Sequence, residues 1–274
     1  MARLRITILG CGASPGVPRL DGDWGACDPA EPRNRRTRCS ILVERFVADA
    51  PRPTRALVDT SPDLRSQFLS LGGIDALDGV VYTHAHADHV HGIDDLRGYL
   101  HRHGKLVDVF TDDPTQARLD EAFGYCFTSP PGSSYPPILK RHPIVFKEAF
   151  WVNGPGGPIA FMPFLQIHGD ITTLGLKVGR AAYSCDVSRL PDAALPLLAD
   201  LDLWIVDALR HRPHPSHFTV AEAVDWSRRL KPQRTILTHM HSEIDYNALR
   251  LSLPLGIEPG YDGLSVDLED ESGV

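Results

Sequence analysis

Thr83-His84-Ala85-His86-Ala87-Asp88-His89 places three histidines and an aspartate in six consecutive positions, directly after the apolar run Gly79-Val80-Val81-Tyr82. A buried strand is therefore expected to end in a cluster of metal-ligand side chains. Imidazole nitrogen combined with carboxylate oxygen suits zinc, manganese or iron, and the alanine spacers leave room for ligands to converge. The cluster offers more ligands than one tetrahedral ion needs, so two divalent ions, zinc or manganese, are expected. A solvated His-rich loop is the bland alternative, and the strand before the cluster argues against it.

Three polar residues further along have the same setting. His168 follows the largely apolar run Ala160-Phe161-Met162-Pro163-Phe164-Leu165-Gln166-Ile167, Asp186 ends Ala181-Ala182-Tyr183-Ser184-Cys185-Asp186, and His239 ends Arg234-Thr235-Ile236-Leu237-Thr238-His239. Each stands where a β-rich run stops, the end of a strand at which α/β sheets carry their chemistry. In order and residue type these positions resemble the metallo-β-lactamase fold superfamily, whose motif is H-x-H-x-D-H followed by a distant His, Asp and His. The resemblance implies an α/β fold, a four-layer αβ/βα sandwich of two mixed sheets flanked by helices. It also implies that His84, His86 and His168 hold one ion, that Asp88, His89 and His239 hold the second, and that Asp186 bridges. Such a pair lowers the pKa of a bridging water and stabilises the attacking and leaving oxygens of a displacement.

Composition agrees with one hydrolase domain over residues 1–274: 42% hydrophobic residues supply an ordinary core. Strand-like runs fall at 4–10, 40–44, 56–59, 80–83, 107–111, 144–146, 173–178, 181–184, 203–207, 235–238 and 264–266. Helical patterns fall at 62–71, 91–103, 114–125, 192–199, 220–230 and 245–251. Two irregular stretches, 10–38 and 129–137, are long enough to be walls of an active site. Five cysteines without a tight framework and an N-terminus that enters a strand point to the cytoplasm and away from a membrane. The net charge of −7 argues against nucleic acid as partner, and a homodimer is left open. The acidic stretch Asp267-Leu268-Glu269-Asp270-Glu271 reads as a solvated end.

His214-Pro215-Ser216-His217-Phe218-Thr219 narrows the chemistry. The phosphodiesterase branch of the superfamily has a histidine in a similar H-x-T context, which protonates the departing alkoxide. His217 matches it and Asp88 would orient it; the bland alternative is a loop histidine beside a helix cap. His211 and His214 carry no assignment.

Gly10-Cys11-Gly12-Ala13-Ser14, Asn34-Arg35-Arg36-Thr37-Arg38-Cys39-Ser40 and Asp59-Thr60-Ser61-Pro62-Asp63-Leu64-Arg65 resemble the branch holding the phosphoribosyl 1,2-cyclic phosphodiesterase of the carbon–phosphorus lyase pathway. More distantly the chain is similar to tRNase Z, without a Gly/Pro-rich basic arm. The expected function is hydrolysis of a small cyclic or nucleotide-like phosphodiester, with tRNA 3′ processing or a non-catalytic binding role as alternatives. Asp59 and Asp207 are expected to hydrogen-bond ligand histidines. Arg35, Arg36, Arg65 and Arg97, together with Arg38, are candidate contacts for substrate phosphate, each weighed against an ordinary salt bridge. Cys27 and Cys39 lack a clear partner set for a structural zinc. Cys11, Cys126 and Cys185 read as small buried hydrophobes, Cys185 pointing away from Asp186 by strand alternation.

Overall fold

In the strand Arg3–Gly10, Leu4, Ile6 and Ile8 face one apolar core while Leu9 faces another, and this division explains the layers. The next strands repeat it: Ile41 and Val43 against Leu42, then Ala56 and Val58 against Leu57. A period of two with both sets apolar means a sheet covered on both faces. One face meets a second sheet and the other meets helices.

The computed structural model describes residues 2–270. The first sheet contains β1 (Arg3–Gly10), β2 (Ser40–Phe46), β3 (Thr54–Val58), β4 (Gly79–Val81), β5 (Val107–Thr111) and β6 (Leu139–Pro143). The second contains β7 (Phe150–Val152), β8 (Ile159–His168), β9 (Ile171–Val178), β10 (Ala181–Ser184), β11 (Leu203–Asp207), β12 (Arg234–Thr238) and β13 (Ile257–Pro259). The last strand, β14 (Ser265–Glu269), returns to the first sheet, giving the orders β14-β1-β2-β3-β4-β5-β6 and β13-β12-β11-β10-β9-β8-β7. The helices are α1 (Leu64–Ser70), α2 (Ala87–Val90), α3 (Arg97–His103), α4 (Asp113–Phe127), α5 (Val220–Leu230) and α6 (Tyr246–Ser252). Two mixed seven-stranded sheets flanked by helices make the αβ/βα sandwich expected from the motif. Among the described residues no helix is long and apolar enough to cross a membrane.

Register puts one edge to use. β3 runs parallel to β4, and β10, β11 and β12 are mutually parallel, so their C-terminal ends share a direction within each sheet. The edges are laced together there: Leu174 N–H donates to the Thr83 carbonyl, Ala13 N–H to that of Met240 and Met240 N–H to that of Cys11.

Four expectations need correction. Residues 144–146 are no strand; Val145 and Phe146 lie exposed in a turn between β6 and β7, closed by Lys147 at φ 66°. The pattern over 91–103 splits into a 3-10 turn (Ile93–Leu96) and α3. The pattern over 192–199 is a 3-10 helix (Asp192–Leu198) with Pro196 inside, which has no N–H to give an α-helical bond. The acidic tail is not simply solvated: Asp267 on β14 pairs with Arg3 and Arg5, and Asp270 pairs with Arg45 at 2.5 Å with only 1% of its side chain exposed. Arg3 and Arg5 of the neighbouring β1 hold Asp267, and Arg45 reaches Asp270 from β2. Glu271 lies outside the described residues.

Candidate metal centre

Strand ends deliver the functional side chains. Asp59 follows β3, His84 follows β4, His168 ends β8, Asp186 follows β10, Asp207 ends β11 and His239 follows β12. Asp59, Asp186 and His239 have left-handed backbones, at φ 63°, 54° and 57°. Residues other than glycine rarely adopt this conformation, and such strain tends to collect where side chains must be aimed. The single turn of α2 adds Asp88 and His89, with His86 at its N-cap.

Asp186 stands between two groups. Its Oδ2 lies 3.6 Å from His84 Nε2 and 3.5 Å from His168 Nε2, and His168 Nε2 is 3.3 Å from His86 Nδ1. Its Oδ1 lies 3.2 Å from both His89 Nε2 and His239 Nε2, each of which is 3.6 Å from Asp88 Oδ2. All seven motif positions are thus brought together, one carboxylate oxygen of Asp186 facing each group.

The donor set fits divalent cations. His84 Nε2, His89 Nε2 and His239 Nε2 are buried without a hydrogen-bond partner, a costly state unless something else satisfies them. Burial, reinforced by His89, pushes the His84 imidazole well below its usual range, leaving a neutral ring with a free lone pair. Burial acts the same way on His239, but Asp186 and its neighbours outweigh it and push this ring up to about 10. His89 is raised against burial by Asp186, Asp59 and Asp88. The carboxylates therefore create a potential that calls for positive charge, and divalent ions would supply it.

Outer partners fix the rings. Asp59 is fully buried; it accepts from Thr83 N–H and Oγ1 at 2.8 Å each and from His89 Nδ1 at 2.7 Å. His89 thus keeps its proton on Nδ1 and turns Nε2 into the cluster. His168 Nδ1 donates to the Ser216 carbonyl at 2.6 Å. Asp59→Ala is expected to weaken metal binding about 10–100-fold, the usual effect of losing such a partner. Competition with a chromophoric chelator measures it; unchanged affinity would show that Asp59 only braces Thr83.

His217 Nδ1 bonds to Asp207 Oδ2 at 2.7 Å, and its ring stacks on His239 at 4.6 Å and meets His168 edge-on at 4.6 Å. Asp88 is therefore not its orienting partner. Asp88 instead accepts from Ser14 Oγ at 2.7 Å, because α2 turns its carboxylate toward His89, His239 and the loop after β1. Asp207, at the end of β11, reaches His217, while its Oδ1 remains 3.9 Å from His239 Nδ1, beyond hydrogen-bond range. Cys185 is also corrected: its thiol donates to Asp186 Oδ1 at 3.1 Å and falls in one group with His89, Asp186 and His239. The left-handed turn at Asp186 cancels the strand alternation that would have separated them. Nothing in the stretch Gly10-Cys11-Gly12-Ala13-Ser14 marks Ser14 as a partner of Asp88, and only folding brings them together.

The arginines scatter. Arg36 is buried, donating to Asn34 Oδ1 at 3.2 Å and the His241 carbonyl at 3.4 Å, so it has no reach to a substrate phosphate. Arg35 lies over Trp24, and Arg38 pairs with Asp63 at 3.1 Å. Arg65 lines a cavity of about 360 Å³ among α1 and α3 residues. Arg97 pairs with Asp94 at 2.7 Å and lines another cavity, of about 340 Å³, with Tyr135 of the 129–137 loop. Among the described residues no hydrogen bond or ion pair links Arg35, Arg36, Arg65 or Arg97 to the histidine cluster. Cys27 donates to the carbonyls of Ser242 and Ile244, and Cys39 to that of Gly12.

Known structures share this fold. The crystal structure of a new diphosphatase from the PhnP family superposes with a TM-score of 0.86 at 34% identity, covering 98% of each chain. Human tRNase Z, short form, superposes at 0.65 with 15% identity, covering 96% of this chain and 98% of that one, a likeness of fold alone. An octanoyltransferase of Porphyromonas gingivalis is 33% identical over 276 residues, 99% of this chain but 53% of that protein. The chain thus spans about half the length of that curated relative. Residues 54–240 match the family described as the beta-lactamase superfamily domain, and with the fold and the histidine motif in place, this chain belongs to that family.

Proposed function

We propose that this single domain is a metal-dependent phosphodiesterase that hydrolyses a small cyclic or nucleotide-like substrate, with His217 as general acid. The observation that carries the reading is His217 itself, held by Asp207 and packed against His239 and His168 of the cluster. Two divalent ions, zinc or manganese, would be held by His84, His86 and His168 and by Asp88, His89 and His239, with Asp186 shared; when bound they lower the pKa of the attacking water and neutralise developing charge.

The remaining work falls to the chain. The bond from Nδ1 to Asp207 leaves Nε2 of His217 as the nitrogen available to substrate. As the water oxygen forms its bond to phosphorus, the bond to the departing oxygen breaks, and that oxygen takes the proton from His217. Asp59 holds His89, and the Ser216 carbonyl holds His168, so neither ring must reorganise during the reaction.

A diphosphatase at 34% identity supports phosphoryl chemistry for this chain. Octanoyl transfer belongs to a protein of which this chain matches 53%, and no feature of the cluster calls for it. A net charge of −7 favours a compact anion, neutralised locally, over tRNA, whose affinity comes from an extended basic surface. The test is a competition at identical salt among a five-membered ribose cyclic phosphate, linear diesters, a diphosphate diester and precursor tRNA. Turnover of the small compounds is expected. Site-specific removal of a tRNA 3′ trailer without turnover of small diesters would overturn the reading.

A further inference from the structure

We infer that Arg210 and His214, with Arg19 held by His241, form a subsite beside His217 for a phosphate group carried by the leaving group. The inference rests on the phosphodiesterase reading and names the substrate class: diesters or diphosphates whose departing half is itself phosphorylated.

The loop after β1 begins the argument. Ser14 of this loop touches Asp88, and the following residues Pro15, Arg19, Leu20 and Asp21 line an open cleft of about 420 Å³. Arg19 Nη2 donates to His241 Nε2 at 3.1 Å, and His241 stands two residues beyond His239 of the cluster. The loop is thereby tied to Asp88 through Ser14 and to His241 through Arg19.

Backbone bonds bring Arg210 to the same place. His241 N–H donates to the Leu209 carbonyl at 2.9 Å, Leu209 N–H to that of Phe218 at 2.9 Å, and Val220 N–H to that of Arg210 at 3.0 Å. Residues 209–210 therefore run between His241 and the segment that bears His217. His214 completes the group, its ring centroid 5.0 Å from that of His217. Its Nδ1 lies 3.1 Å from Ser216 Oγ, which leaves Nε2 for an external partner.

Acidic groups accompany these arginines, and Asp21 lines the cleft beside Arg19. Asp23 pairs with Arg19 at 2.9 Å, and Glu243 pairs with Arg212 and lies 3.6 Å from His241 Nδ1. Arg210 donates to the carbonyls of Arg212 and Pro213, neutral acceptors that leave its charge uncompensated. Guanidinium groups match phosphate oxygens bidentately, so Arg210, which has only carbonyl partners, beside the His214 imidazole suits a phosphate monoester. Position decides which half of the substrate it meets. A general acid faces the departing oxygen, so groups beside His217 contact what departs.

ADP-ribose is a suitable probe, because cleavage on either side of its central oxygen releases a phosphorylated leaving group; bis(p-nitrophenyl) phosphate has none. The readout is the ratio of kcat/KM for ADP-ribose over the aryl diester in metal-loaded protein. Arg210→Ala and Arg19→Ala should each lower this ratio about tenfold, the worth of one charge-assisted hydrogen bond. Arg210→Lys should retain part of it. An unchanged ratio in both alanine variants would overturn the subsite while leaving the phosphodiesterase reading in place. If the wild-type protein turns over neither compound, that reading fails instead. The subsite is then judged by calorimetric binding of ADP-ribose, where equal affinity in wild type and both variants overturns it and weaker binding in the variants supports it.

Discussion

Replacing Asp186 by alanine is expected to empty both halves of the metal centre together and to lower kcat/KM by about 10³-fold or more. The two oxygens of this carboxylate face different groups of histidines, 3.5–3.6 Å away on one side and 3.2 Å on the other. Metal ions contribute several kcal/mol to such reactions, and each ~1.4 kcal/mol is tenfold in rate, so loss of both reaches that figure. Metal analysis gives a readout independent of turnover. Full metal content in Asp186→Ala would mean that the carboxylate is not shared between ions. Asp186→Asn serves as the control for folding, since asparagine also tolerates the left-handed backbone at this position.

His217→Ala should keep its metal and lose about 10²–10⁴-fold on an alkyl phosphodiester, the range for a general acid. An aryl diester should lose far less, because phenolate departs without a proton. The same contrast should appear, more weakly, in Asp207→Ala, where the ring loses its 2.7 Å anchor. Equal losses on both substrates would mean that His217 positions substrate or braces His239, on which it stacks, and does not donate a proton.

The clustered histidines and aspartates were legible as a group because they follow runs whose apolar residues have no other destination than a buried strand. The bounds of β5, β10, β11 and α5 coincide with the sequence expectation for the same reason. Of the four edge strands only β14 was legible, through the run 264–266. β6 reads Leu-Lys-Arg-His-Pro and pairs only with β5 within its sheet, so exposure removes the apolar signal. The three-residue strands β7 and β13 are too short to show a period.

Partner choice was the other gap. Asp88 is expected to orient His217 and Asp207 to hold a ligand histidine, yet in the folded chain it is Asp207, at the end of β11, that bonds His217 Nδ1. Cys185 illustrates a backbone effect: alternation holds through Ser184, and a single φ of 54° at Asp186 then brings neighbouring side chains together. Arg36 shows the limit of charge as a signal. Its neighbours in sequence suggested a phosphate contact, but its guanidinium is spent on Asn34 and the His241 backbone inside the first long loop.

The most direct test of the account is the metal stoichiometry of the wild-type protein, measured by elemental analysis after loading with zinc or manganese and removal of free ion. Two groups of side chains meeting at Asp186 predict two ions per chain, and Asp186→Ala should fall toward none. One ion or none in the wild type would contradict the two-metal centre.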